Sequence, residues 1–230
     1  MHERARHLAT VALVLGYSAT VACSPDSAGP TAPSPGLGSV RPTAPASGIS
    51  TSGQTRPGVY LTVVPHRDGS FDITENVLLP RATDLLQLQL PASGEQRPGM
   101  MSPTTPRVTN LKVVADGQSV PLEATTLPGA ELIPLTVAAA DLQLTYRLSG
   151  SSVIASPSKR NRAGAAVRPL TANADGSLPT DITVTTGLLN AICPLLSETR
   201  CAVGDPPRLG IRQGIPAARA LVVLQLDLPR

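Results

Sequence analysis

The sequence has no tryptophan, one phenylalanine and three tyrosines, so aromatic residues make up only 2% of its 230 positions. With hydrophobic residues at 41%, any core must be aliphatic, built from Leu, Val, Ile and Ala. The same scarcity argues against a carbohydrate platform and against a surface that stacks bases, because both use exposed rings. Lysine is nearly missing: Lys112 and Lys159 are its only occurrences, and arginine carries most of the positive charge. The formal charge of +3 is mild. The densest basic run, "KRNRAGAAVR" at Lys159–Arg168, has no interleaved aromatic residue and reads as a solvated loop. A nucleic-acid partner is therefore not expected. Beyond the first seven residues, His66 is the only histidine.

Motifs that carry chemistry are missing too. There is no CxxC, so zinc binding and dithiol redox chemistry lack their usual spacing. No Asp-rich calcium loop, GxSxG, P-loop, GxGxxG or HExxH occurs. His66 stands beside Asp68 in a predicted hairpin turn. A Ser-His-Asp site would need it held by a scaffold next to a nucleophile, so it is read as a polar turn residue. "SPSK", Ser156–Lys159, matches the S-x-x-K pattern of penicillin-binding proteins. Its partner elements are missing, and its flanks read as a strand running into a basic loop. No catalytic residue, metal or cofactor is expected, and the protein is read as a non-enzyme.

The information that is present begins at the N-terminus. "MHERARHLATVALVLGYSATVAC" has the parts of an export signal. Arg4 and Arg6 charge its start, Leu8–Gly16 is a short apolar stretch, and small residues lead to Ala22 and Cys23. The apolar stretch is far shorter than the roughly 20 residues of a spanning helix. "TVAC", Thr20–Cys23, resembles the lipobox of bacterial lipoproteins. That resemblance covers only the first 23 residues. It implies cleavage after residue 22, an acyl-bearing lipid on Cys23 and anchoring at the outer face of the cell membrane. Thr-Val-Ala also suits an ordinary signal peptidase, which would leave Cys23 unlipidated and the protein secreted.

Ser24–Pro57 is almost all Pro, Gly, Ser, Thr and Ala. Such a segment buries too little apolar surface to offset its ordering entropy and reads as a disordered tether. At about 3.1 Å per residue in polyproline-like form its reach approaches ~100 Å. If Cys23 carries lipid, Cys193 and Cys201 remain as an even pair. "CPLLSETRC" closes a short loop, and an exported protein meets oxidising conditions, so a Cys193–Cys201 disulfide is expected.

From residue 58 onward the sequence reads as strands. "DLLQLQLP", "DLQLTYRL" and "LVVLQLDLP" share strict period-two alternation. Leu86, Leu88 and Leu90 fall on one side of the first, Leu142, Leu144, Tyr146 and Leu148 on one side of the second, and Val222, Leu224, Leu226 and Leu228 on one side of the third. The recurring LQL is thus the signature of a strand with one buried and one wet face, and needs no functional motif. "GVYLTVVP", Gly58–Pro65, and "SFDITENV", Ser70–Val77, flank Asp68-Gly69; Asp116-Gly117 lies within Val108–Ala124. A third Asp-Gly, Asp175-Gly176, separates "AAVRPLTA" from "LPTDITVTT". All three are read as hairpins. Pro91–Arg107 is read as an exposed loop between strands, with a boundary between two small β units as the alternative, and Gly187–Leu196 as holding one short helical turn before the disulfide. Asp141 and Tyr146 lie one residue too far apart for the tyrosine corner of immunoglobulin-like sandwiches.

The expected organisation is a signal peptide at 1–22, a lipidated cysteine with its tether at 23–57, and a domain at 58–230. That domain is expected to be an all-β, antiparallel sandwich, immunoglobulin-like or similar, with an aliphatic core. The expected role is a lipid-anchored cell-envelope binding or structural module that contacts an envelope protein or the cell wall. The alternative is a secreted or surface hydrolase of cell-wall or small-molecule substrates.

Overall fold

A computed structural model of the protein describes residues 55–91, 103–156 and 161–230. The export signal, Cys23, most of the tether, Lys159 and much of the Pro91–Arg107 loop lie outside the described residues. Strand β1 is Gly58–Pro65, β2 Phe71–Leu88, β3 Arg107–Ala115, β4 Gln118–Ser119 and β5 Glu131–Ser149. They are followed by β6 Ser152–Ile154, β7 Arg162–Val167, β8 Pro179–Val184 and β9 Leu188–Ile192. The last four are β10 Ala202–Val203, β11 Gly210–Ile211, β12 Ile215–Pro216 and β13 Val222–Asp227. Among the described residues the only helical element is the 3-10 turn Ala217–Arg219.

The strands form a seven-stranded sheet ordered β12-β8-β1-β2-β5-β3-β4, a four-stranded sheet ordered β6-β7-β13-β9, and the β10–β11 ribbon. One continuous core takes side chains from both larger sheets: Leu61, Phe71, Leu142 and Leu144 from the first, and Ala165, Val167, Leu224 and Leu226 from the second. This is a β-sandwich with an aliphatic interior; among the described residues Phe71 and Tyr146 are the only buried aromatics. Pairing is antiparallel throughout the larger sheets except between β1 and β8, where Val59–Val63 runs parallel to Thr180–Val184.

The alternating segments keep the expected buried faces but not the expected boundaries, and Val223, expected on a wet face, is buried as well. Leu86 and Leu88 are fully buried, as are Leu142, Leu144 and Leu148, and Val222, Leu224 and Leu226. "LLQLQL" is not a separate strand, however: its Leu85–Leu88 is the far end of β2, and Gln89 and Leu90 lie past that end. The first half of β2 pairs with the second half of β5 (Phe71↔Leu148 to Leu78↔Asp141), and its second half pairs with the start of β5 (Leu85↔Pro134 to Leu88↔Glu131). Register shifts between Leu78 and Leu85 absorb the irregular "PRATD" stretch. Such a bulge bends a long strand without ending it.

Two of the three Asp-Gly steps turn hairpins. At β1–β2 the Asp68 carboxylate accepts from the Ser70 N–H at 2.9 Å and its hydroxyl at 2.6 Å, and Gly69 has φ +79°. At β3–β4 both Asp116 (φ 45°) and Gly117 (φ 78°) are left-handed, as a two-residue turn of mirror type requires. Asp116 Oδ1 also accepts from the Asp141 N–H at 2.9 Å and the Ala140 N–H at 3.3 Å, which ties the turn to β5. We expect Asp116→Ala to cost about 1 kcal/mol, because the turn and two strand N–H groups lose one acceptor. The urea midpoint should fall, and Asp116→Asn should recover most of the loss.

The third Asp-Gly step is a correction. β7 lies in the four-stranded sheet and β8 in the seven-stranded one, so Asp175-Gly176 hands the chain between layers instead of closing a hairpin. Consecutive turns closed by Ala172 N–H to Pro169 O and Ala174 N–H to Thr171 O lead the chain away from β7. Two further readings are corrected. Part of the basic run forms β7, whose Ala163, Ala165, Ala166 and Val167 are buried. Within Gly187–Leu196 the chain forms β9, because Leu188–Ile192 pairs with β13.

Candidate functional site

The residues singled out from sequence do not converge. His66 Nε2 lies 2.8 Å from Asp72 Oδ2, and Asp72 Oδ1 lies 3.1 Å from Arg147 Nε. Asp72 and Arg147 are cross-strand partners in β2 and β5. Asp68, the neighbour of His66 in sequence, turns onto Ser70 instead. Its two hydrogen bonds from Ser70 hold its carboxyl below the usual carboxylate range. The His66–Asp72–Arg147 group faces solvent, with the Asp72 side chain 55% exposed. Ser156 is exposed past the end of β6, and the rest of the S-x-x-K stretch, residues 157–159, lies outside the described residues. Among the described residues no three His, Cys, Asp or Glu side chains are placed to hold a metal ion.

The alternation of Phe71, Ile73 and Glu75 in "SFDITENV" puts one acid on the apolar side of a strand, with no motif to mark its role. Glu75 shares the inward register of β2 with Phe71 and Ile73, and it is fully buried. Its Oε2 accepts from the Leu170 N–H at 2.9 Å and from the Tyr146 hydroxyl at 3.1 Å. Its Oε1 accepts from the Thr171 N–H at 3.0 Å and from the Thr171 hydroxyl. Burial pushes the Glu75 carboxyl up, with the four hydrogen bonds opposing that shift. Burial, reinforced by Glu75, pushes the Tyr146 hydroxyl up as well. With no access to solvent, this acid has a positioning role: it fixes the 169–172 crossing to β2 and β5. The signal in sequence is a carboxylate on the apolar side of an alternating strand.

Among the described residues a cleft of about 600 Å³ lies beside β9. Asn190, Ile192 and Gln225 line one side. Asn190 and Gln225 are cross-strand partners in β9 and β13 and so share a face. The other side comes from the segment 199–209, including Arg200, Ala202, Asp205 and Leu209. That wall is held in three ways. Cys193 and Cys201 are joined by a disulfide and are both buried. The Cys193 N–H donates to Thr199 O at 2.7 Å, and Ile192 bridges Arg200. The Arg212–Glu198 ion pair, at 3.2 Å, clips the loop from outside. The expected disulfide thus sits behind the cleft wall, a placement that the spacing of its cysteines did not reveal.

No protein-family profile and no curated protein matches the chain. Among solved structures, an aminopeptidase N family protein from Idiomarina loihiensis aligns with 74% of this chain and 29% of its own, at 11% identity and a TM-score of 0.43. An M1 zinc metallopeptidase from Deinococcus radiodurans aligns with 74% of this chain and 37% of its own, at 16% identity and a TM-score of 0.26. The chain spans less than two fifths of either protein, and at these scores the likeness carries no functional argument.

Proposed function

We propose that the protein is a lipid-anchored binding module of the cell envelope, with its sandwich held off the outer face of the membrane and its cleft turned to an envelope or cell-wall partner. The observation that carries this reading is the order of the N-terminal sequence: a charged start, a short apolar stretch, "TVAC", then the Pro/Ser/Thr-rich Ser24–Pro57. Cys23 would carry the lipid, and Ser24–Pro57 would serve as the tether. A disulfide between Cys193 and Cys201, which leaves Cys23 as the odd cysteine, supports export to an oxidising compartment. The rival reading is a secreted or surface hydrolase of cell-wall or small-molecule substrates; of its sequence candidates, His66 pairs with Asp72 on an exposed face of the sheet.

The test is the intact mass of the native protein extracted from its own membrane in detergent. We expect a chain that starts at Cys23, heavier by its acyl groups and lighter by the hydrogens of one disulfide. An unmodified chain recovered from the medium would overturn the anchor.

A further inference from the structure

We propose that the cleft beside β9 binds an extended aliphatic peptide that ends in a free carboxylate, added alongside the open edge of β9. The proposal rests on the binding-module reading and names the ligand class of that module.

The first ground is backbone geometry. β9 is an edge strand of the four-stranded sheet, paired with β13 on one side. On its other side the bridge from Ile192 to Arg200 and the Cys201 N–H to Ala191 O bond cover only its C-terminal end. No strand among the described residues pairs with that edge at Leu188–Asn190. An exposed strand edge next to a cleft is where an extended peptide gains main-chain hydrogen bonds while its side chains enter the pocket.

The second ground is the chemistry of the lining. Asn190 Oδ1 is occupied by the Ala191 N–H at 2.9 Å, so its NH₂ group is left to donate to a peptide carbonyl. Gln225, on the same face, offers a second amide. Arg200 and Asp205 are exposed and form no ion pair with each other or with any other described residue. The guanidinium of Arg200 suits a bidentate terminal carboxylate. Asp205 suits the N–H groups or the amine of the same chain. Leu189, Ile192 and Leu209 supply an aliphatic wall, and no aromatic residue lines the cleft. A flat ring or sugar would find no stacking partner there, whereas small aliphatic side chains would.

The test uses the native protein with its disulfide intact and two probes: Ala-Leu-Ala-Leu with a free carboxylate, and the same peptide C-amidated. Binding is read by calorimetric titration and by amide hydrogen exchange. We expect saturable binding of the free peptide, slowed exchange at Leu189, and weakening by about tenfold on amidation, the scale of one charge-assisted hydrogen-bond pair. Arg200→Gln should reproduce that loss for the free peptide and leave the amidated one unchanged, as coupled partners do. Asp205→Asn should weaken both probes alike. Because Arg200 is exposed, the thermal midpoint of the variant should match that of the parent protein. No saturable binding up to about 1 mM, which is about 4 kcal/mol of binding free energy, would overturn the proposal. So would an equal effect of Arg200→Gln on both probes, or binding with no change in exchange on β9. An unlipidated protein that still binds the peptide loses the anchor and keeps this site. A lipidated one that binds neither probe keeps the anchor and loses the site.

Discussion

Glu75→Ala is expected to cost about 3–5 kcal/mol of stability, because it strands the Leu170 and Thr171 N–H groups and two hydroxyls in the core without an acceptor. That is a large share of the roughly 5–15 kcal/mol that holds an ordinary domain together. Glu75→Gln is the sharper probe. Each carboxylate oxygen receives one backbone N–H, Leu170 on Oε2 and Thr171 on Oε1. A glutamine must therefore turn its own NH₂ against one of those donors. We expect Glu75→Gln to lose about 1–3 kcal/mol, despite an almost unchanged shape. Urea denaturation of both variants checks this, and a glutamine variant as stable as the parent would mean that the four hydrogen bonds are energetically silent.

The same residue gives stability a pH dependence of defined sign. Burial raises the Glu75 carboxyl above its ordinary value, so between that value and the raised one the folded protein holds a proton that the unfolded chain has released. The stabilisation is complete below the ordinary glutamate range and is lost as pH rises through the raised value. Asp68 and Asp175 slope the other way, since hydrogen bonds from Ser70 and Ser177 lower their carboxyls in the folded state. Asp68 is exposed and Asp175 half-buried, and both are unchanged in Glu75→Gln, so subtracting its stability curve from that of the parent isolates Glu75. The difference should shift against the parent protein as pH climbs out of the acid range. A flat difference would show that the hydrogen bonds balance the burial.

Removing the Cys193–Cys201 bond is the second large effect. Its cysteines are 8 positions apart, and closing so short a loop stabilises by about 2–3 kcal/mol in the chain-entropy model. For a domain of this size that corresponds to a fall of roughly 5–10 °C in the thermal midpoint. Scanning calorimetry of the Cys193→Ala, Cys201→Ala double variant, or of the parent protein under reductant, reads it directly. The loss should also reach the cleft, because the wall carrying Arg200 is held to β9 by this bond and by the Cys193 N–H to Thr199 O contact. Slowed exchange of the Cys193 amide in the parent protein should therefore disappear in the double variant. An unchanged midpoint would mean that the adjacent backbone hydrogen bonds carry the loop unaided.

What the sequence by itself determined about the sandwich is local. Period-two alternation set which side of Leu86, Leu142 and Leu224 faces the core, because side chains on a strand alternate whatever its partners are. The near absence of aromatics forced an aliphatic interior. Asp-Gly set two tight turns, since Gly69 and Gly117 tolerate a left-handed backbone at little cost. Glu75 was legible only as an anomaly, a charge on a buried face. Its four donors come from residues 71 to 96 positions away.

Everything that depends on such distant partners was decided by the tertiary structure. The parallel β1–β8 pair joins Val59 to Thr180. Leu85–Leu88 became the end of a longer strand because β5 is long enough to pair with both ends of β2. Asp175-Gly176 became a crossing between sheets because Glu75 holds the chain at Leu170 and Thr171. The cleft exists only where the disulfide loop folds back beside β9. In each case the deciding term is a contact between segments remote in sequence, and local pattern carries no record of which remote segment it will meet.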